Sequence, residues 1–188
     1  VQIHFSFFST DSVSRSNPIV PCSFFIHAEA CEKMLGIQTS GRSIDLYKDH
    51  SVVKGLYGTL EQSNDRLRKL AFVYAFENDF EDCVLLNEYK QITETITGAI
   101  FVVKGNQIKT PPLTSGCRSS VYRQVVIDLL VKQDGLDLVE DVVSPFELQK
   151  ADELFVVSLS NGIQSVKQYR KKVFVSTTAE SLFSKFIM

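Results

Sequence analysis

The chain has 188 residues, of which 44% are hydrophobic and 22% charged, with a formal net charge of -2. This apolar content excludes a disordered chain. The near balance of 20 basic and 22 acidic residues gives no reason to expect nucleic acid as a partner. No apolar run approaches the roughly 20 residues that a membrane-spanning helix needs, so we expect no membrane partner either.

The cysteines and histidines do not form a recognisable metal or redox motif. Cys22, Cys31, Cys83 and Cys117 lack the CxxC spacing of zinc and redox sites, and the three histidines lie in the first quarter of the chain. We therefore expect no bound metal, reduced and mostly buried cysteines, and a cytoplasmic location. The sequence opens without a methionine inside a strand-like run, which we interpret as a chain whose upstream part has been removed.

The first half of the chain predicts two strands followed by a helix. Alternating residues predict strands over 1–8 and Ser23–Ala28, with a polar loop between them. From Asn64 to Phe76, apolar residues recur at intervals of three and four, which is typical of one face of a helix. Asn64 is the expected N-cap, and Asp65 suits the positive end of the helix.

The second half mixes strands with short helices. The predicted strands are Asp82–Asn87, Gln91–Glu94, Ala99–Val103, Gln107–Thr110, Leu154–Val157 and Val173–Val175. The predicted helices are Ser120–Lys132, one starting at Ser144, and Ala179–Met188. The basic stretch Lys167–Lys172 is interpreted as a solvated turn. The pattern indicates a mixed α+β fold in one domain, without the regular alternation of a doubly wound sheet.

Two local features could carry chemistry. Glu94 ends a strand, where a solvent-facing carboxylate is the more common interpretation. The segment 116–123 combines a polar turn with a helix start, which could bind an anion through free amides, although ordinary N-capping is the better interpretation from the residues alone. Asp45, Asp49 and His50 could supply metal ligands, but no spacing supports this, and a surface loop is the simpler interpretation.

Several strings of the sequence resemble one enzyme family in their order and spacing. They are DCVLLN at 82–87, ITE at 92–94, AIFVVKG at 99–105 and IKTPPL at 108–113. They resemble the class IV aminotransferases, pyridoxal-phosphate enzymes of fold type IV that include branched-chain and D-amino-acid aminotransferases and aminodeoxychorismate lyase. The resemblance implies a barrel-like mixed sheet with surrounding helices. It also implies that residues 1–188 are a single domain corresponding to the C-terminal domain with its leading strand, and that the family's N-terminal domain is absent.

The same resemblance implies a set of cofactor-binding positions. They are Glu94, Arg118, Ser120, Val121, Tyr122, Arg123 and Ser158. Glu94 matches the carboxylate that pairs with the protonated pyridine nitrogen. The helix start at 121–122 matches the amides that hold the phosphate, together with Arg123 and the hydroxyl of Ser158. Arg118 stands where a leucine usually packs under the ring, and Ser120 replaces a glycine of the phosphate turn.

The catalytic lysine of the family is missing at its expected position. In the family it opens a lys-x-x-asn motif before the amphipathic helix, and here that motif reads EQSN, so Glu61 occupies the lysine position. A carboxylate cannot form the Schiff base that pyridoxal chemistry requires. Lys54 is a weak alternative that would need a rearranged loop.

The resemblance therefore implies a pyridoxal-phosphate-dependent aminotransferase or aminodeoxychorismate-lyase-like protein that acts on amino groups of small molecules and has become degenerate. If it is active, its substrate is a small amino or keto acid or an aminodeoxychorismate-like molecule. The alternative is a catalytically inactive homologue that serves as a binding or dimer-assembly module. By analogy with the family we expect a homodimer.

Overall fold

The computed structural model describes residues 2–10, 16, 21–30, 41–60 and 65–186. The chain forms two compact units, Val1–Met34 and Leu35–Met188. In the first unit, strands β1 (Gln2–Ser9) and β2 (Cys22–Glu29) pair in antiparallel fashion, so the two opening strands are confirmed.

The second unit contains the larger sheet and the helices. Its elements are β3 (Arg42–Leu46), α1 (Leu56–Thr59), α2 (Arg66–Glu77), β4 (Asp82–Leu86), β5 (Ile92–Thr95), β6 (Ala99–Lys104), β7 (Gln107–Thr110), α3 (Val121–Val131), β8 (Asp137–Glu140), α4 (Pro145–Lys150), β9 (Glu153–Ser158), β10 (Gly162–Tyr169), β11 (Lys172–Val173) and α5 (Thr177–Phe186). Among the described residues, the nine strands of this unit form one sheet in the order β5-β4-β3-β10-β9-β6-β7-β8, with β11 paired to β10.

The sheet is mixed. Strand β3 runs parallel to both β10 and β4, and β7 runs parallel to β8. The other pairs are antiparallel. The sheet is curled, and the predicted α+β class is confirmed.

The central strands are buried along their length because helices cover both faces of the sheet. In β6, Phe101 packs on the side of α3 and α5, whereas Ile100 and Val102 pack on the side of α4. Phe101 lies directly opposite Phe155 of β9, and their rings stack with centroids 4.9 Å apart. A strand with both faces covered is expected to be a continuous apolar run, which is how the sequence of β6 predicted it.

The starts of the helices follow local capping rules. The side chain of Asp65 accepts a hydrogen bond from the backbone N–H of Arg68 at 3.2 Å, so Asp65 is the N-cap of α2. Asn64, the cap expected from the sequence, lies outside the described residues, and the N-cap is Asp65 instead. At α4, the backbone N–H of Ser144 donates to Glu147 Oε2 at 2.7 Å, as the sequence predicted.

The basic stretch near the end of the chain is not wholly a solvated turn. Strand β10 continues to Tyr169, whose side chain is fully buried, and only Arg170 and Lys171 form the turn before β11. The last strand is Lys172–Val173 rather than Val173–Val175. Strand β8 was not predicted, because four residues with only two apolar members form a strand only through their parallel pairing with β7.

Lys109 of β7 joins the sheet to the start of α4. Its Nζ lies 2.8 Å from Glu147 Oε1 and 3.3 Å from Asp141 Oδ2. Burial opposes the ionisation of Glu147, but hydrogen bonds from Lys109 and from Ser144 outweigh it and lower the pKa of Glu147 below 4.5. The amide of Val142 and the Lys109 ammonium lower the pKa of Asp141. Carboxylates with lowered pKa values stabilise the fold above their unfolded-state pKa, and this stabilisation is lost as the pH falls through the folded-state pKa.

We expect the change Lys109→Met to reduce stability at neutral pH and to have little effect in acid. Because the Glu147 side chain is 38% exposed, solvent screening limits the loss to at most about 1 kcal/mol. The difference from the wild type should shrink as the pH falls below about 4.5, where the carboxylates become protonated. Urea denaturation at several pH values measures it. Lys104→Met, at an exposed position of β6, is the control, and a pH-independent difference for Lys109→Met would contradict the ion-pair explanation.

Candidate functional site

Glu94 lies in a buried ion-pair cluster. It sits on β5, opposite Leu85 of β4, and its side chain is only 2% exposed. Its Oε2 accepts hydrogen bonds from the backbone N–H of Arg118 at 3.0 Å and from Arg118 Nε at 3.3 Å. Its Oε1 contacts Nη2 of Arg68. The prediction that the Glu94 carboxylate faces solvent, which the residue pattern favoured, is therefore wrong.

The two arginines come from segments that are distant in sequence. Arg68 belongs to the first turn of α2, where its Nη1 also pairs with Asp65, and Arg118 precedes α3. Their side chains are 13% and 18% exposed. We call Asp65, Arg68, Glu94 and Arg118 the Glu94 cluster. Its two carboxylates and two guanidiniums balance in charge, and it ties α2, β5 and the segment before α3 together.

A turn beside the cluster is held by a second buried carboxylate. Asp82 of β4 accepts hydrogen bonds from the backbone N–H of Ile96 at 3.0 Å and from Thr97 Oγ1 at 2.5 Å. Arg42 Nη1 lies 3.3 Å from its Oδ2. Burial raises the pKa of Asp82, although the threonine hydrogen bonds and Arg42 oppose this shift. Arg118 Nη2 donates to the carbonyl of Ile96 at 3.0 Å, so the turn that Asp82 fixes also positions Arg118.

Close backbone packing brings the segment before α3 to this place. A Cβ on Gly58 would lie 2.4 Å from the carbonyl oxygen of Val53 and 2.6 Å from that of Gly116. Only glycine allows this approach. The buried side chain of Asn87 adds a hydrogen bond from its Nδ2 to the carbonyl of Ser115 at 3.1 Å. The segment that carries Arg118 is therefore fixed against the turn between β4 and β5.

A cavity of about 290 Å³ borders the cluster. Asp65 and Arg68 line it together with Ser51, Val52, Val53, Tyr57, Gly58, Leu60, Arg66 and Leu67. Its wall thus combines two members of the cluster with apolar side chains. This composition is typical of small-molecule pockets.

The predicted phosphate positions lie at the start of α3. Ser120 is the N-cap, and its Oγ accepts a hydrogen bond from the backbone N–H of Arg123 at 3.5 Å. The backbone amides of Val121 and Tyr122 belong to the first turn of the helix, and Val121 is 77% exposed. Tyr122 packs partly against the core. These amides are placed as an anion site requires.

Two further predicted phosphate ligands are engaged within the protein. The buried guanidinium of Arg123 donates through Nη2 to the carbonyl of Pro111 at 2.8 Å and to Glu140 Oε2 at 2.5 Å. It therefore joins α3 to β7 and β8. Ser158 Oγ accepts a hydrogen bond from the backbone N–H of Asn161 at 3.2 Å in the turn between β9 and β10.

Of the two candidate catalytic residues, Lys54 and Glu61, the structure describes Lys54. Lys54 lies beside the turn between β4 and β5, where its Nζ is 4.9 Å from the centroid of the Tyr89 ring. Its backbone N–H donates to Glu88 Oε2 at 3.0 Å. Glu61, which the resemblance predicts at the position of the family lysine, lies outside the described residues.

The candidate metal ligands near β3 have partners within the protein. Asp45 Oδ1 accepts hydrogen bonds from the backbone N–H of Leu46 at 2.7 Å and from Arg170 Nε at 3.3 Å. His50 Nδ1 lies 2.7 Å from the hydroxyl of Tyr47. In the described part of the chain, His, Cys, Asp and Glu form no group of three or more that could hold a metal ion. Within the described ranges, no helix has both the length and the apolar character needed to cross a membrane.

The described residues do not fit pyridoxal phosphate as they are arranged. A carboxylate suited to the pyridine nitrogen is present, but both oxygens of Glu94 already contact guanidiniums. Arg123 is turned towards Pro111 and Glu140. Of the cofactor positions implied by the resemblance that lie in the described ranges, the start of α3 is the one with an exposed residue, Val121, at a helix N-terminus.

The fold and the cluster define an α+β protein with a curled mixed sheet and a buried carboxylate at the end of an edge strand. Residues 67–169, more than half of the chain, match the family described as Amino-transferase class IV. The chain therefore belongs to this family.

Relatives and solved structures agree with this assignment. The chain is 32% identical over 108 residues to a protein of Methanocaldococcus jannaschii named as a branched-chain-amino-acid aminotransferase, and the match covers 57% of this chain and 36% of the relative. The branched-chain aminotransferase of Thermoproteus uzoniensis is 20% identical with a TM-score of 0.84, covering 98% of this chain and 63% of that one. An aminotransferase of Brucella abortus bound to PLP is 16% identical with a TM-score of 0.79, covering 98% and 67%. The chain thus spans about a third of the curated relative's length.

Residue reasoning missed part of the cluster. It selected Glu94, and the family resemblance added Arg118; the structure brings these two into contact. It did not select Arg68, Asp82 or Asn87. The capping position of Asp65 three residues before Arg68 was a signal for their mutual contact, but no local pattern could link Arg68 to a glutamate on a separate strand.

Proposed function

We propose that this chain is a degenerate homologue of pyridoxal-phosphate-dependent class IV enzymes, which as aminotransferases or aminodeoxychorismate lyases act on amino groups of small molecules. We further propose that residues 1–188 correspond to the C-terminal domain of such an enzyme with its leading strand. Family membership supports the ancestry. The observation that supports degeneracy is the double engagement of Glu94 by Arg68 and Arg118.

The ion pairs of Glu94 compete directly with the role that the family gives this residue. A protonated ring nitrogen would have to displace a guanidinium from a carboxylate that is 2% exposed. Separating one partner from a buried ion pair costs about 3–5 kcal/mol. Glu61 at the lysine position adds a second obstacle, because its carboxylate cannot form the covalent link to the cofactor.

The second candidate is a non-catalytic binding or dimer-assembly module. The start of α3 favours it, since Val121 is exposed there and a helix N-terminus can hold an anion without any covalent chemistry. A homodimer and a cytoplasmic location belong to this proposal as well. If activity remains, its substrate would be a small amino or keto acid or an aminodeoxychorismate-like molecule.

We expect pyridoxal phosphate added to the wild-type chain to give no visible Schiff-base absorbance band and, after borohydride reduction and dialysis, no covalently attached cofactor. The double change Glu61→Lys with Arg118→Leu should produce such a band and adduct, because it supplies the amine and removes a guanidinium from one oxygen of Glu94. Absorbance spectra and the mass of the reduced protein measure it. Glu77→Lys, which adds a lysine at an exposed position of α2, controls for labelling of surface lysines. A reduced adduct on one residue of the wild type would contradict degeneracy.

A further inference from the structure

A second cavity, of about 440 Å³, lies at the turn between β10 and β11. Its lining residues are Gln149, Tyr169, Arg170, Lys171 and Lys172. None of them belongs to the Glu94 cluster or to the start of α3. Three consecutive cations line this cavity in a chain whose net charge is -2.

Arg170 is held at the wall of the cavity. Its backbone φ is 54°, in the left-handed region that non-glycine residues rarely adopt. Its guanidinium carbon lies 5.3 Å from the centroid of the Tyr169 ring, and its Nε is 3.3 Å from Asp45 Oδ1. A strained backbone at such a position is often associated with function.

The other two cations, Lys172 and Lys171, differ in their contacts with the rest of the protein. Lys172 Nζ donates to the carbonyl of Ala151 at the end of α4 and lies 5.4 Å from the centroid of the Phe174 ring. Lys171 is exposed at the tip of the turn. Asp45 offsets one of the three charges, so the wall of the cavity keeps a positive balance.

Tyr169 also lines this cavity. The residue is fully buried, and its hydroxyl has no hydrogen-bond partner within the described part of the chain. Burial raises the pKa of Tyr169 to about 12, so the hydroxyl keeps its proton at neutral pH. A buried donor without an acceptor is unfavourable. A ligand whose acceptor oxygen reached this hydroxyl would remove the cost.

We propose that this cavity, with Tyr169, Arg170, Lys171 and Lys172, binds the phosphate group of a small phosphorylated molecule. Arginine and lysine are the side chains that recognise phosphate, the former through paired N–H groups and the latter as a point charge. A phosphate group alone would occupy only part of the cavity, whose volume falls within the range of small-molecule sites. The remaining space accommodates the organic part of the ligand next to the amide of Gln149.

Calorimetric titration of the full chain with inorganic phosphate and with glycerol 3-phosphate tests this proposal. Both titrations are made against sodium chloride of equal ionic strength. We expect both probes to bind, and the phosphomonoester to bind more tightly. Binding only to vesicles that contain phosphatidic acid, or only to an RNA oligonucleotide, would overturn the proposal in favour of a lipid surface or a nucleic acid.

Three variants locate the site. Arg170→Gly removes a cation and relieves the left-handed backbone, so it should fold at least as well as the wild type while weakening phosphate binding about tenfold. Lys171→Ala should weaken it to a similar degree. Tyr169→Phe removes only the hydroxyl that lacks a partner, so it should weaken binding without lowering the melting temperature.

Lys104→Ala, at an exposed lysine beside the turn between β6 and β7, is the matched control and should bind phosphate as the wild type does. Equal binding by all four variants would place the phosphate elsewhere, for instance at the start of α3, and would overturn the proposal. This result is independent of the degenerate site, since none of the four substitutions touches the Glu94 cluster.

Discussion

Replacing Glu94 by glutamine is expected to lower the free energy of unfolding by about 3 kcal/mol. Glutamine keeps the shape of the side chain but removes the charge that neutralises Arg68 and Arg118, whose side chains are only 13% and 18% exposed. An uncompensated buried cation is far more costly than the intact pair. Urea denaturation of the purified chain measures the loss.

The matched control is Glu77→Gln, at an exposed position of α2, which should change the free energy of unfolding by less than about 0.5 kcal/mol. A double-mutant cycle with Arg118→Leu separates the pair from other effects. Arg118→Leu should be less destabilising when Glu94→Gln is already present, because its partner charge has gone. A loss below about 1 kcal/mol for Glu94→Gln would show that the cluster contributes little to the fold.

The change Gly98→Ala is expected to destabilise the protein by about 3 kcal/mol. A Cβ at this position would lie 2.2 Å from the carbonyl oxygen of Val157 and 2.9 Å from Cβ of Ser158. The obstacle is the backbone of β9, which cannot rotate away as a side-chain tip could. The strand entry at Ala99 would have to move instead, and with it the pairing of β6 with β9.

Gly105→Ala distinguishes this clash from a general effect of replacing glycine. Gly105 has a φ of 57°, but nothing lies within 4 Å of a Cβ built there. Its replacement should cost only about 1 kcal/mol, the strain of a left-handed alanine. Thermal melts of the two variants provide the comparison. Equal losses would mean that the chain at Gly98 relaxes more easily than the packing indicates.

The proposed degeneracy depends on which positive charge the Glu94 carboxylate pairs with. In a working site, a carboxylate must be available to a protonated ring nitrogen, because that contact keeps the ring electron-poor. Here Arg118 reaches the same oxygen through both its backbone N–H and its side chain. The carboxylate thus stabilises the protein's own cations. This arrangement explains how Glu94 could stay buried without cofactor chemistry.

Apolar runs made some strands predictable. The runs at Asp82–Asn87 and Ala99–Val103 are long enough to indicate buried strands, and the structure places β4 and β6 there. The segment Gly162–Tyr169 gave no such signal, because Gln164 and Ser165 interrupt the pattern. Both residues are buried in β10, which lies between β3 and β9 in the sheet. Non-local pairing overrode the local composition.

In the candidate site, too, the sequence indicated some of the residues but not the contacts between them. Glu94 could be selected because it lies in a family-like string, and Arg118 through its alignment with a family position downstream of those strings. The contact of Arg68 with Glu94 could not, since it joins a helix start to an edge strand. The role of Arg123 also depended on its surroundings, because its side chain points to Pro111 and Glu140.

The sequence by itself determined the α+β class, most element positions and the family, because apolar periodicity, capping residues and turn residues act over a few neighbouring positions. Only the tertiary structure decided which charged groups meet. A charge can be buried only when an opposite charge or a hydrogen-bond partner reaches it, and for Glu94 those partners come from the first turn of α2 and the segment before α3. Their meeting depends on the curled sheet and on backbone approaches such as that of Gly58 to Gly116.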